Sequence, residues 1–152
     1  MFPAQNPEFD TLFEGTLFSL LSWDQLSHFW QRLDVGAGWY LYALGEPRPE
    51  QPADGEHVAT FVREIDTLLR HEHDEDYCGI VYADNLEHPT LIKIYDPNHL
   101  GTSCGSSKHK ILPGWVMSLA PPSDLDPSHH VPLNRRRWWQ GIIDLFGSES
   151  RA

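Results

Sequence analysis

Residues 80–95, which read IVYADNLEHPTLIKIY, decide the fold class. Two β-type runs, Ile80–Ala83 and Leu91–Tyr95, flank the polar segment Asp84–Pro89, and this pattern predicts a β-hairpin. A third strand candidate, Trp115–Leu119, follows with no helix pattern in between. Parallel neighbours need a long crossover, usually a helix, so we expect these strands to be antiparallel.

The clearest helix of the chain precedes the hairpin and begins after Asp54, a favourable N-cap residue. Its apolar residues recur at the spacing of one buried helix face: Val58, Phe61, Val62, Ile65, Leu68 and Leu69. Before this helix, the aromatic run Trp39–Leu44 favours a strand. The segment Glu46–Gly55 contains three prolines among polar residues, which predicts a surface loop.

Two helices are predicted ahead of the first strand. One begins near Asp10 or Thr11 and includes apolar residues as far as Leu21. The other begins at the capping box that opens with Ser22, and it ends near Leu33.

A final helix is predicted from an N-cap at Asn134 through Phe146, with Gly147 ending it. The whole order is then α-α-β-α-β-β-β-α. This order predicts the α+β class, with a mostly antiparallel sheet of about four strands packed against helices. We expect residues 1–147 to form a single domain and residues 148–152 a short C-terminal tail.

The composition is that of a soluble globular domain. With 152 residues, 40% hydrophobic and 22% charged, the chain is long enough for one core. Met1–Asp10 has no basic residue followed by an apolar run, and no apolar stretch approaches the roughly 20 residues that span a bilayer. We therefore expect neither a signal peptide nor membrane insertion. Two cysteines are too few for a disulfide scaffold, which predicts a cytoplasmic location.

Charge is distributed unevenly along the chain, whose net charge is −11. Residues 1–100 contain 18 Asp and Glu against 5 Lys and Arg, whereas residues 101–152 contain 4 against 6. The acidic total argues against general binding to nucleic acid, whose phosphates require a basic surface. The slightly basic final third is the part of the chain that could contact an anionic group locally.

The long loop from Asp96 to Lys110 holds the first candidate site. Small residues around Cys104 let another group approach its sulfur closely. Lys108 and His109 lie near enough in the sequence to favour the thiolate, the reactive form of cysteine. Cys104 is therefore a candidate reactive thiol, and the alternative is a hairpin loop with an incidental cysteine.

The segment HEHDEDYC, residues 71–78, is dense in side chains that bind divalent metals. Its spacing matches neither a two-histidine helical zinc motif nor a paired-cysteine site. The alternative is a polar helix end followed by a solvated acidic turn. No cofactor is required by the sequence. A divalent metal is the candidate, with ligands drawn from His71, His73, Cys78, His99, Cys104 and His109.

The final predicted helix opens with three arginines followed by two tryptophans. Positive charges in a first turn oppose the helix macrodipole, each at about a few tenths of a kcal/mol. Arginine and tryptophan are enriched among binding hot spots, which predicts a partner-binding face of Arg135, Arg136, Arg137, Trp138 and Trp139. The alternative is that the arginines dock onto the domain's own acidic surface. Both tryptophans cannot easily face the core, so we expect one to be exposed.

No phosphate loop, dinucleotide motif, nucleophile elbow or two-histidine zinc motif occurs in the chain. The sequence therefore favours a small cytoplasmic accessory protein without catalysis of its own, which binds a protein partner through the Arg/Trp helix and the 96–110 loop. The alternative is a thiol- or metal-dependent site centred on Cys104, with Cys78 and nearby histidines. A third hypothesis is a ligand pocket lined by Trp39, Tyr40, Tyr82 and Trp115. The sequence does not determine the oligomeric state.

Overall fold

A five-stranded antiparallel sheet organises the chain. A computed structural model describes residues 5–99, 112–125, 131 and 133–150, with the side chains of 99 and 147–150 outside the description. The strands are β1 (Phe18–Leu20), β2 (Tyr40–Ala43), β3 (Val81–Ala83), β4 (Leu91–Ile94) and β5 (Trp115–Ser118). They lie in the order β1-β3-β4-β5-β2, and every neighbouring pair is antiparallel. The predicted α+β class is confirmed, with five strands rather than about four.

Helices cover both faces of the sheet. In the described residues they are α1 (Pro7–Glu14), α2 (Trp23–Arg32), α3 (Gly55–Glu72) and α4 (Leu133–Ser150), with a short 3-10 turn at Pro97–His99. Side chains of α2, α3 and α4 join the cluster on one face, and those of α1 join the cluster on the other. No helix within these ranges combines the length and the apolar character that a membrane span requires.

The two faces of the sheet differ in polarity because alternate residues of a strand point to opposite sides. The face toward α2, α3 and α4 is apolar throughout, and the fully buried Phe61 and Ile65 of α3 pack on it. The opposite face mixes apolar and polar residues, and Phe9 and Phe13 of α1 cover part of it. Most of the apolar burial that stabilises the domain is therefore on the first face.

Local capping signals set the starts of two helices as predicted. The Oγ of Ser22 accepts a hydrogen bond from the backbone N–H of Gln25 at 2.9 Å, and Oδ1 of Asp54 accepts one from His57 at 2.9 Å. The predicted hairpin is confirmed as β3 and β4. At its turn, Oδ1 of Asp84 accepts hydrogen bonds from the N–H groups of Thr90 and Leu91.

The first predicted helix is wrong in its extent. α1 begins at Pro7, where the side chain of Asn6 accepts from the N–H of Glu8, and it stops before Gly15. Residues Phe18–Leu20, predicted as helix, form strand β1 and pair with β3. A short apolar run suits either structure, and pairing with an existing strand edge decided between them.

The bounds of the last helix also differ from the prediction. α4 begins at Leu133, so Asn134 lies inside the helix, and it continues past Gly147 to Ser150. A glycine in a helix interior costs only about 1 kcal/mol relative to alanine, which does not by itself end a helix. The predicted tail from residue 148 is therefore helical as far as Ser150.

Candidate functional site

One end of the sheet gathers several of the described residues that the sequence singled out, among them Arg135, His73 and Cys78. Here β1, β2 and β4 end and β3 and β5 begin, and the chain leaves β4 toward the 96–110 loop. The C-terminus of α3 and the first turn of α4 meet at this end, as their ion pair shows. We call it the loop end of the sheet.

Arg135 of α4 makes the central contact at the loop end. Its side chain is 6% exposed, and its Nε donates to Oδ2 of Asp96 at 2.8 Å while Nη2 donates to Oδ1 at 3.1 Å. The same Nη2 donates to Oε1 of Glu72 at 2.9 Å. A bidentate guanidinium–carboxylate pair fixes both distance and orientation. Arg135 therefore joins α4, the end of α3 and the start of the loop.

Asn98 extends this network into the 3-10 turn. Its Nδ2 donates to Oε1 of Glu72 at 3.0 Å, and its backbone N–H donates to Oδ1 of Asp96 at 2.9 Å. Asp96 and Asn98, at the start of the loop, are thus hydrogen-bonded to Arg135 and Glu72 at the loop end. The first part of the loop is held in place before the chain enters residues 100–111, which lie outside the description.

The charges of the network stabilise one another. Burial alone would lower the pKa of the Arg135 guanidinium, but the hydrogen bonds to Asp96 and Glu72 outweigh it and raise that pKa. The hydrogen bond from Arg135 holds the pKa of Glu72 below its ordinary value, although partial burial opposes this. Arg135 therefore stays a cation, and its two carboxylate partners offset its unfavourable position in the first turn of α4.

The five residues predicted to bind a partner have different environments. Arg135 is buried and contacts acidic residues of its own domain, as the alternative hypothesis for the arginines expected. Arg136 and Arg137 are exposed. Trp138 and Trp139 are both partly buried, so the expectation that one tryptophan is exposed is wrong.

The two tryptophans fasten α4 to the core. The ring centroid of Phe61 lies 6.4 Å from that of Trp138 and 6.1 Å from that of Trp139, and Trp138 lies 5.4 Å from Trp115. Both rings reach the same side of α4 because adjacent helical positions can share one wide apolar face.

Cys78 and His73 are buried beside the turn between α3 and β3. Cys78 is fully buried, and burial raises the pKa of its thiol, although backbone N–H groups of Ile80 and Val81 oppose the shift. The Nε2 of His73 donates to the carbonyl oxygen of Cys78 at 3.0 Å, and the His73 ring makes edge contacts with Trp23 and with Tyr77. These contacts hold the turn between α3 and β3.

The predicted metal site has no ligand set in the part of the chain that the structure describes. Within those ranges no group of three His, Cys, Asp or Glu side chains could hold a metal ion. His71 is exposed on the last turn of α3, apart from the buried His73. Cys104 and His109 lie outside the described residues, as does the side chain of His99.

The four aromatics of the proposed ligand pocket do not meet in one cavity. Trp39 and Trp115 are buried in the core on the first face, whereas Tyr40 and Tyr82 are half-buried and belong to the other face by strand alternation. Two surface clefts, of about 480 and 440 Å³, have other linings. They are open depressions beside α1 and beside the Arg48–Asp124 ion pair.

Sequence reasoning did not find Glu72, Asp96 or Asn98 as site residues. Glu72 lies in the acidic 71–78 segment, where its charge looks like one of several solvated ones. Asp96 begins the loop and precedes Pro97, and an Asp-Pro pair is typical of a turn. The signal in the sequence was the run of arginines at the start of the last helix, because positive charge there calls for carboxylate partners.

The chain matches no protein-family model, no curated protein and no solved structure.

Proposed function

We propose that this is an accessory protein that binds a protein partner at the loop end of the sheet, through Arg136 and Arg137 of α4 together with the 96–110 loop. The observation that carries the proposal is the contact between Arg135 and Asp96. It joins the helix and the loop, the two segments expected to contact the partner, at a single guanidinium. A partner that touches one of them therefore lies close to the other.

No carboxylate among the described residues neutralises the exposed arginines. Arg136 ends the first turn of α4, where positive charge is unfavourable, and Arg137 follows it; neither makes an ion pair with any described residue. Arg135 differs because Asp96 and Glu72 neutralise it. An acidic surface on a partner would neutralise Arg136 and Arg137 in the same way.

The packing of α4 gives these arginines a rigid base. Trp138 and Trp139 pack against Phe61, and Arg135 in the first turn of the helix is hydrogen-bonded to Asp96. Contact through α4 then requires little ordering of the helix backbone, which lowers the entropic penalty of binding. In this proposal the tryptophans position the binding face and the exposed arginines make the contact.

The test is recovery of a partner from the native host by the Arg136→Glu/Arg137→Glu variant. We expect the partner bound by the unaltered protein to be lost, because the reversed charges repel an acidic surface. The matched control is Arg32→Glu/Arg63→Glu, which makes the same charge change at two exposed arginines on α2 and α3. Equal recovery with both variants would contradict the proposal, and circular dichroism checks that both are folded.

A second candidate function is a thiol- or metal-dependent site centred on Cys104. The anchored start of the loop favours it, because hydrogen bonds hold Asp96 and Asn98, the described residues that precede Cys104, in a defined place. The labelling rate of Cys104 as a function of pH tests the thiol, with Cys78→Ala removing the other cysteine. A thiol pKa near the ordinary value of about 8.5 would remove the case for activation. Calorimetric titration with zinc tests the metal-binding hypothesis, and the absence of binding heat would reject it.

A further inference from the structure

Strand β1 is a three-residue strand at one edge of the sheet. Its inner side pairs with β3, and its outer side pairs with no strand among the described residues. Edge strands in monomeric proteins are protected from strand addition by short length, by Lys or Pro, or by a bulge, and of these β1 has the short length. Residues 15–23, which contain β1, include no charged residue and no proline.

Large apolar side chains are exposed along this edge. Phe18 is 51% exposed, Leu21 is 64% exposed, and Tyr77 is 57% exposed. The carbonyl oxygen of Leu21 accepts a hydrogen bond from the N–H of Cys78 at 2.8 Å, so Leu21 and Tyr77 are neighbours at the loop end. Exposed apolar side chains that neighbour each other, as Leu21 and Tyr77 do, suit a contact surface.

The opposite edge of the sheet is different. In β2, Tyr40 is half-buried and the other three residues are buried. The chain returns beside it, where the N–H of Ala53 donates to the carbonyl oxygen of Trp39 at 2.8 Å. Exposed apolar residues are thus a property of the β1 edge and not of both edges.

An acidic rim lies at one end of the exposed edge. We give this name to Asp74, Glu75 and Asp76, which are exposed and directly precede Tyr77. The rim is held in place because the indole N–H of Trp23 donates to the carbonyl oxygen of Glu75 at 3.0 Å. Its position therefore gives the apolar edge a negative end.

We propose that the outer side of β1 binds an extended segment of a partner protein as an additional strand. Apolar side chains of that segment cover Phe18 and Leu21, and its Lys or Arg side chains lie against the acidic rim. Main-chain hydrogen bonds supply affinity in this mode of recognition, and alternate side chains supply specificity. This inference does not rest on the partner site proposed for α4.

Charge favours a foreign segment over a second copy of this chain. Residues 15–23 have no basic residue to place against the acidic rim of another copy. Two copies would also bring together net charges of −11 each. A segment with alternating apolar residues and with Lys or Arg side chains complements both the apolar edge and the acidic rim.

The test is selection from a phage library of short random peptides on the immobilised protein. We expect enriched peptides to alternate apolar residues and to carry Lys or Arg. Their affinity should fall by at least about tenfold for Phe18→Lys/Leu21→Lys, because charges on an edge oppose strand addition. Both side chains are more than half exposed, so the core stays intact. Ile143→Lys/Leu145→Lys, which adds the same charges at exposed positions of α4, should bind unchanged.

Two further measurements separate the outcomes. Asp74→Asn/Glu75→Gln/Asp76→Asn should weaken the basic peptides and reduce the salt dependence of their binding. Hydrogen exchange should show new protection of β1 amides in the complex. Failure to enrich peptides that depend on Phe18 and Leu21 would overturn the proposal. If sedimentation instead reveals a dimer that Phe18→Lys/Leu21→Lys dissociates, the proposal is overturned in favour of a second copy. Protected outer amides of β1 in the free monomer would also overturn it, because the chain would then cover its own edge.

Discussion

The guanidinium of Arg135 and the carboxylate of Asp96 form a bidentate contact, 2.8 and 3.1 Å long, between residues 39 positions apart. Both groups are almost fully removed from solvent. This pair determines where the first turn of α4 and the start of the 96–110 loop lie relative to each other. It also separates Arg135 from the two exposed arginines that follow it in the sequence.

Replacing Arg135 with Met should strongly destabilise the domain. The change leaves the buried carboxylate of Asp96 without its cation, and loss of one partner of a buried ion pair typically costs about 3–5 kcal/mol. Urea denaturation measures the free energy of unfolding. The control Arg137→Met removes an exposed arginine and should change that energy by no more than about 0.5 kcal/mol. Similar effects of the two changes would show that the ion pair does not support the fold.

Stability should fall in acid partly through Glu72. Its pKa is lowered in the folded state by Arg135, so its contribution is complete above the ordinary value of 4.5 and is lost as the pH falls through the lower folded value. Denaturation of the wild type and Glu72→Gln at several pH values tests this. The difference between them should shrink as the pH falls below 4.5, and Glu87→Gln, which makes the same substitution at an exposed hairpin position, is the control for the loss of one carboxylate. A difference that stays constant with pH would contradict the role of Glu72.

The thiol of Cys78 should be unreactive in the folded protein. It is fully buried and its pKa is raised by burial, so both access and thiolate formation are suppressed. In a Cys104→Ser variant, labelling with a disulfide reagent at neutral pH should proceed only as fast as the protein opens. Denaturant should make labelling immediate. Rapid labelling of the native variant would mean that the segment before β3 opens easily.

Phe61→Ala should loosen α4 from the sheet. The Phe61 ring is fully buried against both tryptophans, and truncating a buried phenylalanine typically costs about 3–5 kcal/mol. Tryptophan emission should also shift to longer wavelength as Trp138 and Trp139 gain solvent. Ile143→Ala, at a 39% exposed position of the same helix, is the control and should leave the emission unchanged. Unchanged emission in Phe61→Ala would contradict the packing described for these rings.

The sequence by itself determined the elements whose signals are local. The buried face of α3 repeats at helical spacing over several turns, and Asp54 caps it through a contact three residues away. The hairpin of β3 and β4 follows from two β-type runs around a polar turn. Such patterns need no distant partner to be interpreted, which is why these predictions held.

Only the tertiary structure decided β1 and the environment of Arg135. Phe18–Leu20 is too short for its periodicity to separate helix from strand, and pairing with β3, more than sixty residues away, settled it. Arg135 resembled its two neighbours in the sequence, yet Asp96 and Glu72 buried it while Arg136 and Arg137 stayed exposed. The physical reason is the same in both cases. Strand pairing and the burial of a charge depend on groups that are distant in the chain and meet only when it folds.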